Sequence, residues 1–163
     1  MNKTTQLKKL LLQRKALPCP GVYDALSARM VEYCGFQACQ ISGFGVSASS
    51  LGMTDASFTS LEEIVRITSN IVRAVDIPVM TDADTGYGNA VNVWWTTKRL
   101  EETGAAGMNL EDQCFPKRCG HMAGKQLISL GEMVGKIRAA VDAKRDPDFV
   151  INARTDAAYV CGI

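Results

Sequence analysis

The chain has 163 residues, a formal net charge of +1 and an apolar share of 47%. That is enough for one packed core and short for two domains. The near-neutral balance argues against a nucleic-acid or membrane-surface partner, and no apolar run is long enough to span a bilayer. The segment Met1 to Lys15 is basic, and its only apolar run, Leu10-Leu11-Leu12, is too short for a signal-peptide core, so a cytoplasmic protein is expected. The six cysteines (Cys19, Cys34, Cys39, Cys114, Cys119 and Cys161) show no C-x-x-C spacing, which argues against zinc. Most are expected to be small, buried, reduced residues.

In chain order, residues 1–15 read as a leading amphipathic helix, centred on Gln6 to Lys15. Ala16 to Cys19 reads as a first strand stopped by Pro20-Gly21. Asp24 caps a helix to about Cys34, with Leu26, Met30 and Val31 inward and Gly35 closing it. Phe36 to Ile41 is a second strand. Ser42 to Thr59, rich in Ser, Gly and Thr without a clear period, reads as a long loop of the kind that carries function. Ser60 and Glu63 have capping-box spacing ahead of a helix through Ile64, Ile67 and Ile71 to Val75. Val79 to Thr81 is the central strand. Asn89 or Asn92 caps the next helix, which ends at Gly104; Ala106 to Leu110 is a fourth strand. A second loop, 111–128, precedes a helix capped by Ser129 that runs to about Lys144. Phe149 to Ala153 is a fifth strand, followed by Arg154-Thr155-Asp156.

Strand and helix alternate at roughly the length of a βαβ unit. The pattern predicts an α/β fold, one domain over 1–163, with an all-parallel sheet and helices outside. Polar clusters follow the strands and none precedes them, as in a β/α barrel or at the switch point of an open sheet. No G-x-G-x-x-G follows the first strand, which argues against a dinucleotide fold. The chain supplies about five units where a complete barrel takes eight.

The chemistry centres on Asp82-Ala83-Asp84-Thr85-Gly86-Tyr87-Gly88. If the strand continued through Asp84, its period of two would set Asp82 and Asp84 on one side. Two such acids need a cation or a shared proton, and hard oxygen ligands at a loop mouth suit Mg²⁺ or Mn²⁺. The alternative is an Asx turn with solvated acids. Ser42-Gly43-Phe44-Gly45, Glu111-Asp112 and Arg154 also end strands, so a parallel sheet brings them together. Arg154 offers a planar fork for a carboxylate, or pairs with Asp156 or Asp82. In Lys117-Arg118-Cys119-Gly120-His121, a thiol follows two cations, which would favour the thiolate, and nearby glycines allow a loop to close over a ligand. The alternative is a solvated basic loop with an incidental thiol.

From Pro20 to Asp156 the chain resembles the isocitrate lyase and phosphoenolpyruvate mutase superfamily. The resemblance rests on Pro20-Gly21-Val22-Tyr23-Asp24-Ala25-Leu26-Ser27-Ala28, the segment Asp82 to Gly88, Leu110-Glu111-Asp112-Gln113, Lys117-Arg118-Cys119-Gly120-His121, and Ala153-Arg154-Thr155-Asp156-Ala157. It implies a β/α (TIM-type) barrel of which this chain holds about the first five units, with Mg²⁺ at its mouth and a 2-oxo or 2-hydroxy carboxylate as substrate. It also implies a homo-oligomer, a tetramer in the family. On matching positions, Asp82 and Asp84 would hold Mg²⁺ (or Mn²⁺), with Glu111 supporting it through water. Ser42, Gly43 and Phe44 would receive a substrate carboxylate, and Asp55 would lie near the ion. Gly120, His121 and Arg154 would bind substrate. Cys119, in a gating loop over 111–128, would be the general acid, with Tyr23 a candidate base. The K-[KR]-C-G-H pattern belongs to the lyase branch, and mutases and phosphonopyruvate hydrolases lack its Cys. The resemblance thus implies carbon–carbon cleavage of the 2-methylisocitrate or 2,3-dimethylmalate type. An oxaloacetate hydrolase or decarboxylase, a phosphoenolpyruvate mutase-type enzyme, and a non-catalytic chain are the alternatives. Asn109 stands where members often carry His, and the family's last three strands have no counterpart here. The isolated 163-residue monomer is therefore expected not to complete the reaction.

Overall fold

The computed structural model describes residues 2–13, 15–119 and 122–162. Five parallel strands lie in sequential order: β1 (Gly21–Val22), β2 (Cys39–Ile41), β3 (Val79–Asp82), β4 (Gly107–Glu111) and β5 (Val150–Arg154). The helices are α1 (Lys3–Leu11), α2 (Ala25–Tyr33), α3 (Gly43–Leu51), α4 (Leu61–Ala74), α5 (Ala90–Glu101), α6 (Leu130–Ala143) and the short α7 (Ala157–Cys161). A parallel sheet whose neighbours follow one another in sequence, each joined by a helix, is the repeating unit of a β/α barrel.

The caps explain where the helices begin. Asp24, Ser60 and Asn89 each accept from the backbone three residues on, and in each case the residue at that position reciprocates, closing capping boxes. Ser42 and Ser129 cap α3 and α6 through Gly45 N and Glu132 N. Period two then sorts β3. Thr81 faces α4, where its hydroxyl pairs with that of Thr68 at 2.9 Å. Met80 turns the other way, into a cluster with Leu7, Ala38 and Ala106. Helix α1 closes that end of the sheet, opposite the strand C-termini. Lys3 Nζ donates to the carbonyls of Val72 and Val75, and Thr5 and Lys8 bind Asp148. The main core, including Ile64, Ile71, Val93, Leu100, Leu110 and Phe149, fills the layer between strands and helices.

Several expectations are corrected. The first strand is Gly21–Val22 and not Ala16 to Cys19, because Pro18 and Pro20 carry no N–H for a ladder; Pro20 contributes only its carbonyl, to Gln40 N. The second strand is confined to Cys39–Ile41. Residues 43–51 are not loop but helix α3. Its cap at Ser42, the buried Val46 and Ser47, and the left-handed Gly52 (φ 63°) override a composition poor in helix formers. In α2, Leu26 and Met30 are exposed, while Ala28 is buried and Val31 packs on the core. The leading helix starts at Lys3 and ends at Leu11. Of the cysteines, Cys39 is buried, and burial pushes its thiol up to about 12. Cys34 and Cys161 are exposed, and all six are free.

Candidate active site

The C-terminal ends of β2 to β5 meet in a cleft of about 490 Å³. Ser42, Gly43 and Phe44 line it from the start of α3, Asp55 from the following loop, Asp82 from β3, Glu111 from β4, Arg154 from β5, and Cys119 from the loop after β4. The residues named from sequence at four strand ends are therefore neighbours. Tyr23 is absent from the described lining; it packs beside Gly45, where an added Cβ would approach Tyr23 Cβ at 3.1 Å. Gly120 and His121 lie outside the described residues.

The strand does not persist through Asp84, as the period-two expectation required. It ends at Asp82, and Asp84 takes a left-handed conformation (φ 52°) in which its N–H donates to Asp82 Oδ1 at 2.9 Å. The two acids converge through this tight turn. Asp82 Oδ2 accepts the N–H of Gly43 at 3.1 Å, and a Cβ on Gly43 would lie 2.6 Å from that oxygen and 3.5 Å from Asp55 Oδ2. Glycine is needed here for space: Asp82 and Asp55 close on its Cα from two sides. That amide is consequently engaged with protein and not free for a substrate carboxylate. The Ser42 hydroxyl oxygen accepts from Gly45 N at 3.1 Å, a cap that leaves its O–H able to donate.

Lys117 has a part that its position beside Cys119 did not suggest. Its buried ammonium donates to Asp55 Oδ2 at 2.9 Å and forms an ion pair with Asp84 Oδ1. That contact is the partner of an oxygen otherwise lacking a hydrogen bond. Burial, then the neighbouring Asp82, push the Asp84 carboxyl up to about 7. Burial alone would lower Lys117, but Asp82 and Asp84 outweigh it and hold the ammonium protonated. Arg118 points its guanidinium at the Ala123 carbonyl, 3.1 Å away. Both cations that precede Cys119 in sequence are thus occupied elsewhere.

Glu111 is buried, and burial raises its carboxyl despite Lys117 and Arg154. Arg154 NH1 stands 3.4 Å from Glu111 Oε2, and its NH2 donates to Asp156 at 3.2 Å. The Asp156 pairing is the one foreseen from sequence; Glu111, and not Asp82, is the second partner. Asp112 faces away from the acids and accepts from the Thr155 hydroxyl and Asp156 N. Asn109 accepts at 2.8 Å from Asn152 on β5.

Among the described residues, no three His, Cys, Asp or Glu side chains are gathered at metal-ligand spacing. Lys117 instead stands between the acids. The donor set nevertheless fits a hard divalent cation. Asp55, Asp82, Asp84 and Glu111 offer carboxylate oxygens, and the buried Asp84 Oδ1 has no hydrogen-bond partner among the described residues, only the paired Lys117 ammonium. Sequence reasoning missed two anchors: Gln113, whose amide donates to the Arg118 carbonyl, and Lys125, whose ammonium pairs with Asp156. A buried lysine or amide in a loop leaves no periodic trace; the Leu110-Glu111-Asp112-Gln113 run was the available signal.

The chain matches the sequence model described as phosphoenolpyruvate phosphomutase over residues 7–160. It is 47% identical over 163 residues to a 2,3-dimethylmalate lyase of Eubacterium barkeri, covering 100% of this chain and 56% of that protein. It superposes on an oxaloacetate acetylhydrolase bound to 3,3-difluorooxalacetate with a TM-score of 0.94 and 39% identity, covering 99% of this chain and 56% of the other. A phosphonopyruvate hydrolase complex with oxalate and Mg²⁺ gives a TM-score of 0.91 at 34% identity, covering 100% and 56%. The chain spans about half the length of the curated relatives it matches. With β/α units in sequential order, acids gathered at the strand C-termini and a family match over nearly every residue, this chain belongs to the phosphoenolpyruvate phosphomutase family of the isocitrate lyase superfamily.

Proposed function

We propose that this chain carries the metal-holding and proton-donating part of a carbon–carbon lyase. The substrate class is a 2-hydroxy di- or tricarboxylate of the 2,3-dimethylmalate or 2-methylisocitrate type, and the products are a 2-oxo acid and a carboxylate. The observation that carries the reading is Cys119 lining the same cleft as Asp82, Glu111 and Arg154. The likeness to a 2,3-dimethylmalate lyase supports it.

Asp82 and Asp84 would hold Mg²⁺ or Mn²⁺, with Glu111 and Asp55 beside it; such an ion supplies Lewis acidity and a template for the substrate's 2-oxygen and carboxylate. Arg154 offers its guanidinium to the substrate while Glu111 and Asp156 hold it in place. The N-terminus of α3, at Ser42 to Phe44, faces the same space with its partial positive charge. A base takes the 2-hydroxyl proton and the C2–C3 bond breaks. The bonding pair passes to the carbon adjacent to the departing carboxylate. The Cys119 thiol then protonates that carbon, and its thiolate recovers a proton from solvent or from the base. Water exclusion strengthens each of these contacts, and the loop that carries Cys119 is the element suited to provide it. The same reading carries a homo-oligomer in the cytoplasm.

In a chain extended to the full length of its relatives, Cys119→Ser tests the reading, with 2-oxo acid release measured over a panel of 2-hydroxy acids. Turnover should fall about 100-fold or more while KM stays near the parent's, because a hydroxyl is a much weaker acid than a thiol. Unchanged turnover would remove Cys119 from the mechanism. The likeness to an oxaloacetate acetylhydrolase favours a second reading, hydrolysis or decarboxylation of oxaloacetate. Acetate with oxalate, or CO₂, as products would establish that reaction in place of the first.

A further inference from the structure

One buried side chain secures the base of the loop between β4 and α6. Gln113 is 1% exposed and lies just beyond Glu111. Its Nε2 donates to Glu111 Oε1 at 2.9 Å and to the Arg118 carbonyl at 3.0 Å, with Asp156 Oδ2 at 3.3 Å. Its Oε1 accepts the Arg118 N–H at 3.1 Å. These partners fix the orientation of the amide. Exchanging its O and N would aim an acceptor at two carboxylates and a carbonyl, and a donor at an N–H. The opposite side of the loop is tied to the same place. Lys125 Nζ donates to Asp156 Oδ1 at 2.9 Å, and Cys114 N donates to the Gln126 carbonyl at 2.7 Å. Cys119 directly follows the residue whose peptide groups the amide holds on both sides.

We propose that Gln113 is a positioning residue that couples the Cys119 loop to the Glu111 carboxylate, so that the seat of the loop and the orientation of the acid are set together. A buried amide cannot leave Glu111 without disturbing its grip on Arg118, since each unmade bond exposes a desolvated polar group with no partner. The proposal rests on the lyase reading only for the importance of the two groups it couples.

The test is amide hydrogen exchange by NMR on the chain, in a double-mutant cycle between Gln113→Met and Glu111→Ala. Gln113→Met should speed exchange of the Arg118 N–H on the order of fivefold, the loss expected for one buried hydrogen bond. Glu111→Ala should speed it in the parent and add nothing in the Gln113→Met background. Unchanged Arg118 exchange in Gln113→Met, or an undiminished effect of Glu111→Ala in that background, would overturn the proposal. The Met80 amide of β3 reports whether the fold is intact. If Gln113→Met raises exchange there as well, Gln113→Glu decides the matter. That variant keeps an acceptor for Arg118 N–H and, once ionised, cannot donate to Glu111, so protection is followed upward in pH until it no longer changes. It should retain Arg118 protection and lose the response to Glu111→Ala, and a retained response would overturn the coupling. Mn²⁺ titration separates the two readings. Failure of the parent to bind Mn²⁺ would sink the metal assignment, whereas the exchange cycle judges Gln113 without any metal.

Discussion

Lys117 decides how the acids of the cleft behave. Its single positive charge is shared between Asp55 and Asp84, so a divalent cation must compete with a tethered ammonium. Lys117→Met should therefore tighten Mn²⁺ binding by about tenfold in calorimetry and lower the metal-free melting temperature, since the buried acids lose their counter-charge. Asp84→Ala should abolish the binding. Weaker Mn²⁺ binding by Lys117→Met would contradict this competition. Asp156 shows a second balance. Burial would raise its carboxyl, but hydrogen bonds from Lys125 and Arg154 win and hold it below the ordinary 3.8. A depressed folded value means that the stabilisation is fully present above about pH 4 and fades as pH falls through the folded value. In thermal melts across pH, Asp156→Asn should be less stable than the parent at neutral pH, and the gap should close as pH falls through the folded value. A constant gap would show that the ion pairs contribute nothing through charge.

At the scale of elements, close packing of β4 against its neighbours leaves no room for a side chain at Gly107. An added Cβ would lie 2.5 Å from the Val150 carbonyl oxygen and 2.8 Å from Met80 Sδ. A side chain could swing away, but a backbone oxygen in a paired strand cannot. Gly107→Ala should cost about 2–3 kcal/mol in denaturant unfolding, and an unchanged midpoint would refute the packing account. Because β4 delivers Glu111 and pairs with β5 at Arg154, a shift there would reach the cleft as well.

For the molecule as a whole, β1 pairs only with β2 and β5 only with β4 among the described residues, and Leu26, Met30 and Tyr33 stand exposed on α2. Unpaired parallel strands and a clustered apolar helix face promote association. The 163-residue polypeptide should sediment above its 17.6 kDa monomer mass in a concentration-dependent way. The double variant Met30→Lys, Tyr33→Lys should move it toward monomer. A single monomeric species for the parent at every concentration would show that these surfaces do not drive association. No helix among the described residues is long and apolar enough to cross a membrane.

The sequence by itself determined the alternation of five strands with the helices that join them, except α3, the caps at Asp24, Ser60 and Ser129, the parallel sheet, and the family. These follow from local signals: side-chain periodicity, residues that satisfy orphan N–H groups, and motifs contiguous in the chain. It also named Asp55, Asp82, Glu111, Cys119 and Arg154, which the fold brings into one cleft. Only the tertiary structure decided what each of them touches. Helix α3 forms among small residues because its buried face and its cap outweigh weak propensity. Asp84 meets Asp82 through a left-handed turn and not through strand alternation. Lys117 turns from its neighbour Cys119 to acids distant in sequence, and Gln113 joins two strand ends and a loop. Such partners are chosen by desolvation. A buried charge or amide takes whatever complementary group the packed fold sets beside it, and nothing in its neighbouring residues records which group that is.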